Sequence, residues 1–260
     1  MAIYVGTDQI LKMYAGPDVA PGPSWTPADL TDVLYWWYTD AGVTTSGGGV
    51  TAWTDQITSR TLSVQAGTPM TYTAVDPLFN NLPSIYNNGT MATLVNAALT
   101  GDIANGDDFT QIWIGRPDTI GSANYAIWGG ETSTGAAASE FVPYVSSPDS
   151  ADLPGYYRFN IGGTGRTNMI GITSGGSTIY HIVSYDMSAG TIAQYWDSTT
   201  ANQTSTGLPS SVDRNPFRFE IGGYTNAIQY KGYLLECIVM KNVPTPTELS
   251  DLDTYVTSRY

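Results

Sequence analysis

Catalysis by carboxylates needs two acids facing one another across a substrate, about 5 Å apart for retention at a sugar carbon and further apart for inversion. On a strand that means acids at i and i+2 or i+4. The five glutamates, Glu131, Glu140, Glu220, Glu236 and Glu248, show no such spacing. Glu220 and Glu236 read as edge or paired structural acids. His181 is the one histidine, with no Gly-x-Ser-x-Gly elbow to accompany it. It reads as a partly exposed strand residue. Cys237, the one cysteine, sits among apolar residues and reads as a buried, inert thiol. No enzyme is expected. The oxygen-rich turn Asn105-Gly106-Asp107-Asp108, with Asp102 close by, is the one candidate for a calcium ion. No other cofactor is implied. Gly162-Gly163-Thr164-Gly165 precedes no helix, so it reads as a hairpin turn and not a phosphate cradle.

Aromatic side chains are the stronger lead, since Tyr and Trp stack on sugar faces and dominate protein interfaces. Trp25, Trp128, Tyr144, Tyr156, Tyr157 and Tyr224 fall in or beside expected loops, as candidates for glycan or partner contact. The stretch 129–152 reads as one long contact loop of small residues.

The elements that would position these residues are strands. Of 260 residues 34 are Thr, 28 Gly and 18 Tyr, against three Lys, a composition of strands and turns. Asp plus Glu is 23 and Lys plus Arg 10, a formal charge of −13 that argues against nucleic acid as a partner. No apolar run approaches the roughly 18 residues of a membrane span, so no membrane insertion is expected. Nor is a signal peptide visible at the N-terminus, and folding in a host cytoplasm is expected. Strands are expected over 33–38, 50–53, 109–114, 156–161, 178–185, 191–196, 217–221 and 230–240, separated by Gly-rich turns. One helix is expected at the C-terminus, with Thr245 as N-cap, Pro246 at N1 and Glu248 closing a capping box, lying on the end of a two-sheet sandwich.

The order Trp36-Trp37, Val50-Thr51-Ala52-Trp53-Thr54-Asp55, Pro83-Ser84-Ile85-Tyr86-Asn87-Asn88-Gly89, then Phe219-Glu220-Ile221-Gly222-Gly223 and Tyr230-Lys231-Gly232-Tyr233-Leu234-Leu235-Glu236, resembles the laminin-G-like domains. That resemblance covers roughly residues 30–260 and implies an all-β, concanavalin A-like jelly-roll sandwich of two antiparallel sheets with a short C-terminal helix. It also implies a calcium ion at the sandwich rim. Residues 28–260 would form this domain. Residues 1–27 read as an extended N-terminal anchoring arm and Pro-rich linker: Tyr4-Val5-Gly6-Thr7-Asp8 is echoed by Tyr14-Ala15-Gly16-Pro17-Asp18 around a short strand containing Leu11 and Met13. The arm is similar to the short arms of tailed-bacteriophage virion structural proteins. This second resemblance implies a non-enzymatic capsid decoration or fibre-like protein on the virion surface. Its partners would be other virion proteins or neighbouring copies in a homo-oligomer. The alternative is a carbohydrate-binding adhesin that uses loop aromatics on a host glycan.

Overall fold

The computed structural model describes residues 25–65, 67–96, 102–103, 106–118, 125–126, 128–131, 144–146, 156–161, 165–169, 179–206, 218–224 and 228–260. In chain order the strands are β1 (Val33–Tyr38), β2 (Val43–Ser46), β3 (Gly49–Thr54), β4 (Thr61–Val64), β5 (Thr71–Asp76), β6 (Leu82–Asn88), β7 (Leu94–Asn96), β8 (Phe109–Pro117), β9 (Tyr125–Ala126), β10 (Trp128–Glu131), β11 (Tyr144–Ser146), β12 (Tyr156–Ile161), β13 (Gly165–Met169), β14 (Ile179–Asp186), β15 (Thr191–Trp196), β16 (Gln203–Thr206), β17 (Arg218–Ile221), β18 (Gly223–Tyr224), β19 (Ile228–Gln229) and β20 (Lys231–Met240). The helix α1 (Pro246–Arg259) follows. Every strand pairing is antiparallel, as the all-β reading requires.

One sheet runs β20-β8-β14-β15-β16. The other edge of β20 is shared. Its first half pairs with β6, Tyr233 opposite Tyr86, and its second half pairs with β1, Trp37 opposite Cys237. The facing sheet runs β10-β17-β7-β4-β3-β2. β5 forms the corner between them, paired with β6 from Thr71 to Thr73 and again at Asp76, past a break in register, but with β3 only at Gly49–Thr71.

Alternation along the strands sends side chains to opposite faces. Trp37, Trp113, Cys237 and Val239 point inward to meet Trp53, Leu62, Leu94 and Phe219 of the facing sheet. The Trp37 ring stacks on Phe219 at 5.2 Å, closing the sandwich. Trp36, Ile112, Ile114, Ile182, Leu235 and Ile238 point outward. That second apolar face needs a cover, and α1 provides it with Leu249, Leu252, Tyr255 and Val256. The helix therefore packs across the outer face of the sheet and not on the end of the sandwich: the 3.6-residue stripe of α1 matches an apolar sheet surface that would otherwise face water. Its start is as read from the sequence. Thr245 Oγ1 accepts from Glu248 N–H, and Glu248 Oε2 accepts from Thr245 N–H.

The sequence reading of 129–152 as a single loop is corrected, because β10 and β11 lie within it. Trp128, Tyr144, Tyr156, Tyr157 and Tyr224 all stand on strands. His181 is also not where it was expected. It is 1% exposed, beside Gln194 and Trp196, because its strand β14 lies inside the sheet between β8 and β15. Burial pushes its pKa down to about 3, so the imidazole is neutral.

Candidate functional site

Along the part of the outer face that pairs β6, β20 and β8, register sets three residues in a row. Tyr86 is opposite Tyr233, and Tyr233 is opposite Arg116. Directly paired residues share a face. The row continues one strand further to Thr71, which pairs with Tyr86 from β5. The Tyr86 and Tyr233 rings lie 4.8 Å apart, and Phe79 backs Tyr233 edge-on at 5.2 Å. Both tyrosines are half-buried, the exposure an aromatic platform needs. Asp118, two residues beyond Arg116, accepts from Tyr86 Oη–H at 2.7 Å. Burial and that bond push the Tyr86 phenol up to about 12, and burial raises Tyr233 likewise. Both rings stay neutral at ordinary pH. The result is an aromatic surface edged by a guanidinium and a carboxylate, an arrangement able to stack on a sugar ring and hydrogen-bond its hydroxyls.

The C-terminal end of α1 carries two further groups of charged residues. The first is buried. A bulge in β20 between Leu234 and Glu236 breaks strict alternation and turns Glu236, 0% exposed, toward the helix. There it accepts from Trp36 Nε1 at 2.7 Å, Tyr255 Oη at 2.7 Å and Tyr260 Oη at 2.5 Å, with Arg259 Nε at 3.3 Å. Arg259 also pairs with Asp40. Burial raises the Glu236 pKa against the pull of those donors. Every oxygen is engaged within the fold, so this carboxylate holds the helix and leaves no room for substrate.

The second group lines a cleft of about 470 Å³ between α1 and the ends of β14 and β15, formed by Tyr180, Asp197, Asp253, Val256, Thr257 and Tyr260. Asp253 accepts from Tyr180 Oη at 2.8 Å, and Asp197 from Tyr180 N–H at 2.7 Å. Although residue 197 as a whole is exposed, its carboxyl turns into the cleft. Burial there, with Asp253 opposing charge, pushes its pKa up to about 6 from 3.8, against the pull of the Tyr180 N–H. A carboxyl raised in the folded state contributes stability that is complete below pH 4 and lost as pH rises through 6. Asp197→Asn is therefore expected to match the parent in urea denaturation at pH 3.5 and to exceed it at pH 7.5 by about 1 kcal/mol, the shift being discounted for the open side of the cleft. Equal midpoints at pH 7.5 would show that the raised carboxyl carries no cost.

The residues singled out from the sequence fall elsewhere. Trp25 is half-buried, packing edge-on against Tyr255 of α1 at 5.9 Å, where it staples the helix. Side chains of Trp128, Tyr144, Tyr156, Tyr157 and Tyr224 lie outside the described residues, as do Tyr4, Gly6, Leu11, Met13, Tyr14 and Gly16 of the arm and Asn105 of the oxygen-rich turn. Asp102 accepts from Tyr35 Oη and pairs with Arg60 at 3.3 Å, while Asp108 accepts from Met187 N–H at 2.7 Å. These two acids thus serve different strands, and among the described residues no group of three or more His, Cys, Asp or Glu could hold a metal, Asp107 included. Sequence reasoning missed the Tyr86–Tyr233–Arg116 row. Tyr86 and Tyr233 stand in two segments quoted for their family likeness, but nothing local shows that those segments pair.

With this architecture in place, solved structures provide the comparison. The sialidase of Trypanosoma rangeli in complex with sialic acid matches with a TM-score of 0.59 at 12% identity, over 86% of this chain and 33% of that one. Domain 4 of a GH43 extracellular arabinanase from Geobacillus stearothermophilus, in complex with arabinotriose, matches with a TM-score of 0.57 at 13% identity, over 86% of this chain and 100% of the domain. The fold is a jelly-roll-like β-sandwich. A heptameric SAP-like pentraxin from Limulus polyphemus shares it, with a TM-score of 0.50 at 14% identity over 64% of this chain and 79% of that one. At these identities the likeness is one of fold. The sandwich spans about a third of the sialidase, whereas the arabinanase domain is matched over its whole length. No family model and no curated protein sequence matches the chain.

Proposed function

We propose that this chain is a non-enzymatic, carbohydrate-binding sandwich of the concanavalin A-like kind, displayed on the surface of a tailed-bacteriophage virion by the arm of residues 1–27. The observation that carries the binding role is the half-buried row of Tyr86 and Tyr233 edged by Arg116 and Asp118. Its likeness in fold to a whole arabinanase domain solved with arabinotriose supports the same reading. The absence of catalysis rests on the acids. Glu236 and Glu248 are consumed in holding α1, and Asp197 and Asp253 are both engaged by Tyr180. Stacking and hydrogen bonding by the row call for no cofactor. The virion setting rests on the sequence of the arm, with its doubled Tyr-x-Gly-x-Asp unit and four prolines between residues 17 and 27. Such a segment anchors by pairing with a sheet edge of a neighbouring copy or another virion protein.

Deletion of residues 1–24 separates the two roles. The shortened chain is expected to fold and to bind the same sugars on a glycan array as the full chain, yet to be missing from assembled particles. Incorporation of the shortened chain at the normal level would remove the anchoring role, and an array silent for the full chain would remove the binding role.

A further inference from the structure

The row on β6, β20 and β8 differs from its surroundings in charge. The chain has ten Lys and Arg against 23 acids. Two of those ten stand at this row: Arg116 opposite Tyr233, and Lys231 two residues before Tyr233 and so on its face by strand period. Both are half-buried, and among the described residues neither makes an ion pair. By contrast Arg60 and Arg259 each pair with a carboxylate. The two acids close to the row are already engaged. Asp118 accepts from Tyr86 Oη, and Asp76 from Ser84 Oγ at 2.6 Å and Leu78 N–H at 3.0 Å. Tyr233 feels Arg116, Asp76 and Asp118 together, which places all three charges around one ring. Partial burial of the Arg116 and Lys231 side chains lessens the hydration of their charges, a loss that a partner anion would offset. A planar carboxylate fits the guanidinium fork with two parallel hydrogen bonds.

We propose that the ligand of this row is a sugar bearing a carboxylate, its ring stacked on Tyr233 and Tyr86 and its carboxylate held by Arg116 with Lys231 beside it. This inference rests on the carbohydrate-binding reading of the same site and adds the charge of the ligand. In a protein of net charge −13 an anionic sugar is repelled at long range, so its recognition depends on these two local cations and is weakened by salt.

Titration calorimetry on the full chain, with trigalacturonate as the acidic probe and galactotriose as the matched neutral probe, tests it. Trigalacturonate is expected to bind at least about tenfold more tightly at low salt, the worth of one charge-assisted contact, and to lose most of that advantage in 0.5 M sodium chloride. Arg116→Gln is expected to abolish the preference, trigalacturonate losing at least about tenfold more affinity than galactotriose, with the melting temperature unchanged, and Lys231→Gln to reduce it severalfold. Equal binding of the two probes would overturn the charge assignment and leave the carbohydrate reading intact. Binding of neither, with sugars still retained on a glycan array, would move the site away from this row and overturn the inference. Binding of neither with a silent array would overturn both readings.

Discussion

Glu236→Ala is expected to lower stability by about 3–5 kcal/mol, the cost of leaving one half of a buried charged network without the other. The carboxylate receives hydrogen bonds from Trp36, Tyr255 and Tyr260 and faces Arg259. Its removal leaves three buried donors without an acceptor and a guanidinium balanced by Asp40 alone. Because three of those groups belong to the C-terminal residues 255–260, the loss should be local before it is global. Hydrogen exchange along α1 should rise first, with the inner core around Trp37 and Trp113 still protected. Glu236→Gln keeps one acceptor oxygen and the shape of the side chain, so it should cost clearly less. Urea denaturation of both variants measures this. A loss under 1 kcal/mol for the alanine variant would mean that apolar packing of Leu249, Leu252 and Val256 alone holds the helix.

Gly232→Ala is expected to cost about 3 kcal/mol, combining a disfavoured backbone with a collision. Gly232 has φ +141°, and a Cβ there would lie 2.5 Å from Arg116 O and 2.8 Å from Pro117 Cα, both in the main chain of the paired strand β8. Main-chain atoms cannot swing aside as a side-chain tip can, so β20 must part from β8. The damage falls directly beneath Tyr233 and Arg116, and under the proposed binding role carbohydrate retention should fall together with the melting temperature. Gly48→Ala is the control. Its φ is +81°, yet nothing lies within 4 Å of the added Cβ, and only the backbone cost of about 1 kcal/mol applies. If both variants melt alike, the close approach of β20 and β8 is not a constraint.

The elements that were legible in the sequence are those fixed by local chemistry. Thr245, Pro246 and Glu248 specify the start of α1 through bonds spanning three residues, and alternating apolar residues marked β1, β3, β15 and the inner strands β8 and β20. What escaped depended on pairing between distant segments. Nothing within 82–88 or 231–240 says that these two runs are neighbours, so nothing singled out Tyr86 or Tyr233 as contact residues. The bulge that turns Glu236 toward α1 is likewise a property of a pair of strands and leaves no mark in the sequence of either one. His181 was misjudged for the same reason. Its exposure is decided by β8 and β15 lying on either side of it, not by its own neighbours in sequence.

The shared edge of β20 has a consequence for synthesis. Val33 pairs with Met240 and Ile85 with Leu234, so β1 and β6 find their common partner only after some 200 residues have followed β1. At ribosomal speeds of about 5–20 residues per second that is a wait of roughly 10–40 s, during which β1, β6 and β8 have unsatisfied edges. Nascent chains that stop short of residue 231 have no means of joining them, and they should be bound by chaperones or degraded. A chain that completes β20 closes the sheet and creates the surface on which α1 lies. The fold is thus sensitive to its own length: only a chain translated through β20 can join β1, β6 and β8 and bury Trp37 and Trp113 between the sheets.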